Sequence, residues 1–461
     1  MTRYCPHGRP RRRHRGTRLP GDISTALTMA ICVGLLACGT ENPSTAPREH
    51  EMHSGPGQGP GAGPTLSYGG PRSPQTELND PVQQIPGDSE QRISPPAGDD
   101  WTAQRTLAAL PTGGERPQIA IDGNDGRHLV YYHKQGDADV VVYRFGAPET
   151  DFGAEVVVSQ ATERNLGPDL VVSSTGQPWV CYDHAQKDHT GHVFLAHRTA
   201  EGWAPLEQVS VATGVETSSS HLAFDEGNTL TVVWVSREPK LEGRSEVLYR
   251  VRQEDGSWGS TQSLYRGEQD AFHSNIMRSP SGAQVMGFDI MTQHMHRQVR
   301  VAITRDGTWS EFQPVGDAGL STFRPNFGFG EDGQLFAAWT DSYQHDRVGV
   351  SYVTGRLDAS DGQWSAPTRP TKGIVGRHFD PDVAGSANGN VMMVSTWSNE
   401  GSSAVLYSRW RDGRFDLPQR LSLHQKLATL PSIAAGSDGR FHVVWNLGPL
   451  GASEVLYAVT R

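Results

Sequence analysis

Cysteine is scarce in this chain, and what there is lies mostly at one end. The 461 residues include four cysteines, and Cys5, Cys32 and Cys38 all fall within the first 38 residues. Cys181 is alone in the rest of the chain, which excludes an intramolecular disulfide there. Because Cys181 stands in an apolar run, we expect a buried, unreactive thiol.

Several enzyme signatures are missing as well. No C-x-x-C pair, phosphate-binding glycine loop or G-x-S-x-G elbow stands in a suitable setting. Positive charge is also in short supply, since 41 Lys and Arg face 51 Asp and Glu, a net charge of −10. An acidic surface disfavours nucleic acid as a partner and direct adhesion to anionic lipid.

The first 37 residues have the pattern of a secretory signal. Seven arginines lie between Arg3 and Arg18, and an apolar stretch from Ile23 to Ala37 follows. The ending Leu35-Leu36-Ala37-Cys38 resembles a bacterial lipobox, which implies a lipid on Cys38, a membrane contact through that lipid and an extracytoplasmic location. Gly39 after the cysteine favours the outer membrane. An ordinary signal peptide or a short anchor is the alternative.

Residues 38–100 are rich in Gly, Pro, Ser, Thr, Glu and Gln. Such a segment cannot bury enough apolar surface to offset the entropy of ordering it. We therefore predict a disordered tether between the lipid and a folded domain.

Residues 101–461 contain a seven-fold repeat of about 50 residues. One position shows it best, being aromatic in six of seven repeats: Tyr131, Tyr182, Trp234, Phe288, Trp339, Ser395 and Trp445. Each repeat opens near a Pro or Ser: Pro117, Pro168, Ser220, Ser274, Pro325, Pro381 and Pro431. A polar and then an apolar residue follow each opener, as a strand entering a packed layer requires.

Each repeat reads as four short strands. Asp-Gly turns precede the fourth strand, as in Asp255-Gly256-Ser257-Trp258, and such turns are strong hairpin signals. Four antiparallel strands repeated radially form a β-propeller blade. We predict an all-β, seven-bladed β-propeller over 101–461, monomeric, with residues 101–108 supplying the missing fourth strand beside 453–460 and closing the ring.

Loops from the second to the third strand and from one repeat to the next share one face, where a propeller usually binds its ligand. The ligand-binding candidates on this loop face are Arg116, Tyr132, His133, Asp183, His184, His221, His273, Arg324, Asp341 and His378. The alternative for each is a simply solvated loop residue.

A second set, the channel ring, consists of the polar residues after the openers. Its members are Gln118, Asp169, His221, Asn275, Asn326, Asp382 and Ser432. They either hydrogen-bond the neighbouring blade or hold water or a central divalent cation, with Asp169 and Asp382 as its charged ligands. His294 and His296 are a further candidate pair for a transition metal, without an identified third ligand. We expect no other cofactor.

The repeats resemble those of BNR-type, sialidase-like propellers. The turns at Asp255, Asp306 and Asp361 read D-G-x-W, and that at Asp412 reads D-G-x-F, which is shorter than the Asp-box of sialidases. Arg116-Pro117 and Arg324-Pro325 match part of the sialidase Arg-Ile-Pro motif. The resemblance implies a carbohydrate ligand with an acidic group held by arginine.

Residues 125–133, DGRHLVYYH, are similar to a blade of seven-bladed polysaccharide lyases. This resemblance implies Tyr132 and His133 as base or acid and Arg116 as the group that neutralises a uronate carboxylate. Our main hypothesis is nevertheless a non-catalytic lipoprotein that binds a glycan or a protein on its loop face. The alternative is a carbohydrate-active enzyme, either a sialidase-like hydrolase or a lyase, whose catalytic residues the sequence does not identify.

The lipobox leads to a first prediction. Cys38→Ala is expected to abolish lipid attachment, because the thiol is the acylation site, and mass spectrometry of the mature wild-type N-terminus should find an acylated Cys38. An unmodified N-terminus at another residue would contradict this assignment.

Overall fold

The computed structural model describes residues 100–461 except 162, 187–189, 212–213, 239–244, 293–295, 306, 318, 331–332, 345–346, 357–363, 424–426 and 450. The predicted signal, Cys38 and nearly all of the predicted tether lie outside this part. The described residues form strands and turns and contain no helix. This part of the chain therefore has no helix that is long and apolar enough to cross a membrane. The prediction of an all-β chain is confirmed for this part.

Thirty strands follow one another along the described chain. They are β1 (Arg105–Ala108), β2 (Glu115–Ile121), β3 (Arg127–Gln135), β4 (Ala138–Gly146), β5 (Val156–Val157), β6 (Arg164–Val172), β7 (Pro178–Ala185), β8 (Gly191–Thr199), β9 (Gly202–Trp203), β10 (Glu207–Gln208), β11 (Glu216–Phe224), β12 (Leu230–Arg237), β13 (Ser245–Arg252), β14 (Gln262–Arg266), β15 (Ala271–Arg278), β16 (Gln284–Met291), β17 (Arg297–Arg305), β18 (Thr308–Trp309), β19 (Gln313–Pro314), β20 (Ser321–Phe329), β21 (Gln334–Gln344), β22 (Arg347–Arg356), β23 (Arg377–Gly385), β24 (Val391–Asn399), β25 (Ser402–Arg411), β26 (Arg414–Phe415), β27 (Gln419–Arg420), β28 (Ala428–Ala435), β29 (Phe441–Leu447) and β30 (Glu454–Val459).

Each sequence repeat folds as an antiparallel meander, such as β11-β12-β13-β14. The first strands of the repeats are β2, β6, β11, β15, β20, β23 and β28. Each first strand lies beside the first strands of the repeats before and after it, and β28 lies beside β2. Sheets arranged in this way are the blades of a β-propeller.

The repeat predicted the core correctly. All seven residues of the aromatic position are buried, including Ser395. The apolar residue two after each opener is buried as well, from Ile119 to Ile433. Cys181 is also fully buried, and burial raises the pKa of its thiol well above the usual value, so the expected unreactive thiol is confirmed.

The segment before the first repeat pairs with the end of the last. Strand β1 runs antiparallel to β30, with Arg105 opposite Tyr457 and Thr106 opposite Leu456. Trp101 forms a bridge with Thr460 and packs edge-on against the ring of Tyr407, with centroids 5.2 Å apart. The side chain of Trp101 thus joins this N-terminal segment to the sixth repeat, which contains Tyr407.

Every first strand carries the same irregularity. A register shift interrupts the pairing of the first and second strands immediately before the channel-ring residue. In all seven repeats, the residue before the opener has a positive φ, between 45° and 57°. We call these the bulge residues: Arg116, Gly167, Ser219, His273, Arg324, Asp380 and Leu430. Bulges of this kind redirect side chains, often beside functional sites.

A side chain from the preceding repeat holds most bulges in place. The residue after the aromatic position, which we call the latch residue, accepts a hydrogen bond from the backbone N–H of the next bulge residue. The pairs are Asn446 with Arg116 (2.9 Å), Asp289 with Arg324 (3.1 Å), Thr340 with Asp380 (3.2 Å) and Thr396 with Leu430 (3.2 Å). In the second repeat, Asp183 accepts instead from the N–H of Ser220, at 3.5 Å.

Removing the N-terminal strand should destabilise the domain. A chain that begins after Leu110 loses buried Trp101 and leaves the edge of β30 unpaired, so we expect a melting temperature about 5–10 °C lower than that of a chain beginning at Asp100. Differential scanning calorimetry of the two chains measures the difference. Identical melting would show that β1 does not stabilise the fold.

Candidate functional site

The channel-ring residues bond mainly to the neighbouring repeat. Three accept a hydrogen bond from the backbone N–H of the buried apolar residue in the next repeat: Ser432 from Ile119 (3.4 Å), Asp169 from Leu222 (3.1 Å) and Asp382 from Ile433 (2.9 Å). Asn275 and Asn326 donate to the carbonyl oxygens of Pro325 and Pro381. Inter-repeat bonding therefore accounts for five of the seven positions.

Four ionisable groups of this region, His221 and three aspartates, influence one another. Nδ1 of His221 lies 3.2 Å from Oδ2 of Asp169. Burial acts to lower the pKa of His221, but the carboxylates of Asp169, Asp183 and Asp382 outweigh it and raise that pKa. Burial, with repulsion from Asp169, raises the pKa of Asp382 to about 7. The carboxyl group of Asp382 in the channel ring thus changes charge close to neutral pH.

No cluster of three or more His, Cys, Asp or Glu residues in the described part of the chain is arranged to hold a metal ion. His294 lies outside the described residues, as do Asp306 and Asp361. A central cation stays a prediction.

The bulge residues of the fourth to sixth repeats contact one another. Nε of Arg324 donates to Nε2 of His273 at 3.5 Å, and Nη1 of Arg324 forms an ion pair with Asp380. Nδ1 of His273 is 2.9 Å from Oδ1 of Asp289, which is fully buried. Nη1 of Arg297 lies 3.5 Å from the other oxygen of Asp289. Every charged member of this cluster has a partner of opposite charge.

The electrostatics of this cluster favour a neutral imidazole. Burial lowers the pKa of His273, and the nearby guanidinium groups of Arg324 and Arg297 lower it further, against the opposing effect of Asp289. Neutral His273 donates from Nδ1 to Asp289 and accepts at Nε2 from Arg324. Its Nε2 is therefore occupied in this structure.

A second group lies at the first three repeats. Arg116 has no hydrogen bond or ion pair through its guanidinium with any of the described residues. An added Cβ at Gly167 would lie 3.9 Å from Nη1 of Arg116 and 3.5 Å from Oδ2 of Asp183, so these two groups border one space. Arg116 also acts electrostatically on Tyr132 and Asp183, and His221 acts on Asp183.

Asp183 is a buried carboxyl group that the fold does not fully hydrogen-bond. It is 8% exposed, and its Oδ1 finds no hydrogen-bond partner in the described structure. Burial raises its pKa to about 6, although Ser220, His221 and Arg116 act in the opposite direction. Of the ligand-binding candidates that the sequence predicts, the fold thus brings together Arg116, Tyr132, Asp183 and His221.

The remaining candidates are held apart from both groups. His133 lies 3.5 Å from Glu155, and His184 lies 2.9 Å from Asn165 and 3.4 Å from Glu163. Each of these histidines therefore has a local partner.

Asp341 has bonding partners of its own, and His378 is almost completely buried. Asp341 binds Arg369 at 2.6 Å and accepts from the hydroxyl of Ser351. His378 is 1% exposed, and burial lowers its pKa to about 4, so it is neutral at physiological pH.

Tyr131 and Glu155 form a hydrogen-bonded pair, but this pair is not activated for nucleophilic attack. The hydroxyl of Tyr131 donates to Glu155, and Tyr131 is completely buried. Burial and Glu155 both raise the pKa of the phenol, which opposes formation of a phenolate nucleophile.

The turns at the opposite end of the sheets border a cavity lined by Asp122, Phe145 and Arg198, among others. Within it, buried His128 bonds the hydroxyl of Tyr143 at 2.8 Å. The last repeat has the same pair, His442 and Tyr457, at 2.7 Å. A pair that recurs between repeats is explained by the architecture, so this cavity is a weaker candidate.

Sequence reasoning missed three residues that shape the loop face. Arg297 sits at the start of β17, Asn446 is a latch residue, and Gly167 is the glycine among the bulge residues. The signal for Gly167 and Asn446 was positional, because bulge residues directly precede the opener and latch residues directly follow the aromatic position.

No protein-family model and no curated protein sequence matches the chain. Similar solved structures include a polysaccharide lyase of family PL25, an ulvan lyase bound to -[GlcA(1-4)Rha3S]-, with a TM-score of 0.56 and 12% identity over 77% of this chain and 98% of that one. A Hadza microbial sialidase has a TM-score of 0.46 and 12% identity over 70% and 73%. An α-L-arabinanase from Penicillium chrysogenum has a TM-score of 0.46 and 11% identity over 64% of this chain and 92% of that one. At these identities, the likeness to the lyase shows the fold alone.

The two bulge arginines differ in their partners, and this leads to a prediction. Arg324→Ala should lower the free energy of unfolding by about 2 kcal/mol, because it leaves Asp380 without its cation in a largely buried place. Arg116→Ala, the matched change in another repeat, should stay within about 0.5 kcal/mol of the wild type. Urea denaturation measures both, and equal losses would contradict the assignment of Arg324 as the tied arginine.

Proposed function

We propose that the protein is a lipoprotein of the bacterial outer membrane whose seven-bladed propeller binds an acidic glycan on its loop face without cleaving it. The pattern of residues 1–38 supports the location, and an acylated Cys38 would be the membrane anchor. The loop face supplies the binding site. The tether of 38–100 would hold that face away from the membrane.

Contacts between the chain ends support seven blades in a closed ring. The first strand of the last repeat, β28, lies beside the first strand of the first repeat, β2. The hydroxyl of Ser432 accepts from the N–H of Ile119, and Asn446 accepts from that of Arg116. Together with the pairing of β1 and β30, these bonds join both ends of the repeat array.

The proposal of an acidic ligand rests on the surroundings of Arg116. It stands at a bulge, its guanidinium has no bonding partner within the described structure, and the neighbouring bulge residue, Gly167, adds no side chain that would cover it. A guanidinium binds a carboxylate through two parallel hydrogen bonds. Arg324 stays a predicted contact too, although a ligand there would have to compete with Asp380.

Binding without catalysis is favoured by the state of the catalytic candidates. Tyr131 is buried and its phenol is hard to ionise, while Nε2 of His273 is occupied by Arg324. His133 contacts Glu155 rather than joining Tyr132 and Arg116. The trio that a uronate lyase would need is therefore not assembled.

A carbohydrate-active enzyme is the second candidate, since Asp183, with a pKa of about 6, lies in the same group as Arg116 and Tyr132. A carboxyl group in this pKa range suits general acid–base catalysis at mildly acidic pH. Release of sialic acid or of an unsaturated uronate by the pure protein would establish this candidate instead.

Glycan binding can be tested by a substitution at Arg116. Arg116→Ala should weaken binding of acidic glycans about tenfold or more, because a charge-assisted contact contributes about 1.5–3 kcal/mol. A glycan array identifies the ligand, and isothermal titration calorimetry measures the affinity of both proteins.

Leu430→Ala is a matched control at an uncharged bulge position, and it should bind as the wild type does. Equal affinity of folded Arg116→Ala would exclude Arg116 as the contact. No glycan binding by the wild type would instead favour a protein partner on the loop face.

A further inference from the structure

The inter-repeat latch is missing between the first and second repeats, and also between the third and fourth, where the latch position is the apolar Val235. Between the first and second, the latch position is Tyr132, and the bulge residue is Gly167, which has a φ of 54°. No hydrogen bond joins these two residues in the described structure. Glycine adopts this φ without strain, so the bulge keeps its shape without the latch. The missing side chain leaves room between Arg116 and Asp183.

Asp183 has bonding capacity that the fold does not use. The equivalent residue of the fourth repeat, Asp289, accepts from the N–H of Arg324 and also contacts His273 and Arg297. Asp183 accepts a long bond of 3.5 Å from the N–H of Ser220, and the hydroxyl of Ser220 also acts on it. Its other oxygen is buried and without a partner among the described residues. The oxygen that borders the space over Gly167 is Oδ2, 3.5 Å from the place that a Cβ would take there, so a proton on Oδ2 can be donated to a ligand in that space.

The groups that face Asp183 allow its carboxyl group to be protonated. Arg116 on β2 and His221 on β11 are the basic neighbours. His221 is already paired with Asp169 on β6, at 3.2 Å. Cys181 on β7 lies close to Asp183 and is uncharged, because its pKa is raised. Burial outweighs these basic neighbours, so the pKa of Asp183 is about 6.

We propose that the space over Gly167 receives the carboxylate of an acidic sugar, which accepts one hydrogen bond from protonated Asp183 and a charge-assisted one from Arg116. This inference rests on the proposed function and specifies its ligand. A carboxylic acid donates to a carboxylate, whereas two carboxylates repel each other. The site therefore selects sugars with a carboxylate and binds them more tightly at mildly acidic pH than above neutrality.

The test compares affinities at about pH 5 and about pH 7.5 by isothermal titration calorimetry. The probes are a galacturonate tetrasaccharide, a hyaluronan tetrasaccharide and 3′-sialyllactose, each beside its carboxyl-reduced, neutral form. Wild-type protein should lose about tenfold to thirtyfold in affinity for its acidic ligand between these pH values, because a group with a pKa of about 6 ionises over this interval. The carboxyl-reduced, neutral form of each probe should bind weakly at both pH values.

Asp183→Asn is the decisive variant, because an amide donates a hydrogen bond at every pH. It should bind at about pH 7.5 as tightly as the wild type does at about pH 5, with a melting temperature no lower than that of the wild type. Gly167→Asn fills the space while tolerating a positive φ, and it should weaken binding at least about tenfold at both pH values.

Asp382 also titrates near this range, so Asp382→Asn serves as a control that should keep the pH dependence. A pH dependence that survives in Asp183→Asn, or full binding by Gly167→Asn, would overturn the inference while leaving glycan binding intact. A wild-type protein that binds none of the acidic probes at either pH would overturn the proposed function as well.

Discussion

The latch between repeats is the interaction on which the rest of the loop face depends. In four of the seven repeats, a polar side chain on the second strand accepts the backbone N–H of a residue with positive φ in the next repeat, as Asn446 does for Arg116. The N–H at a bulge has no partner in its own sheet, and leaving it buried and unbonded would cost about 1–3 kcal/mol. The latch satisfies it, and so joins adjacent repeats at the point where the chain is most strained.

This bond fixes the bulge backbone and leaves the bulge side chain free to vary. Four bulge positions with a latch carry arginine, aspartate or leucine on the same backbone geometry. Chemistry on the loop face can therefore change by single substitutions without disturbing the fold. His273, Arg324 and Asp380 are neighbouring bulge residues, and they form a chain of contacts with one another.

Much of the fold could be predicted from the sequence because its signals are local. The aromatic position and the polar–apolar pair after each opener recur with the repeat, and they mark buried strands, as at Trp445 and Ile433. The bulges escaped prediction because positive φ is normally signalled by glycine, and Gly167 alone among the bulge residues is one. The latch pairs were also hidden, since Asn446 and Arg116 lie at opposite ends of the repeat array.

Other bonds connect the first and second repeats where the latch between them is missing. Between the first and second repeats, β4 pairs in parallel with β6 at Asp139 and Arg164, whose side chains form an ion pair of 3.2 Å. The side chain of Asn165 also donates to the carbonyl oxygen of Asp139, at 2.7 Å. These bonds join the two repeats through a third strand, so Tyr132 and Gly167 are released from a structural role. Because the fold does not need the inner position there, Arg116 and Asp183 beside it would be available to the proposed ligand.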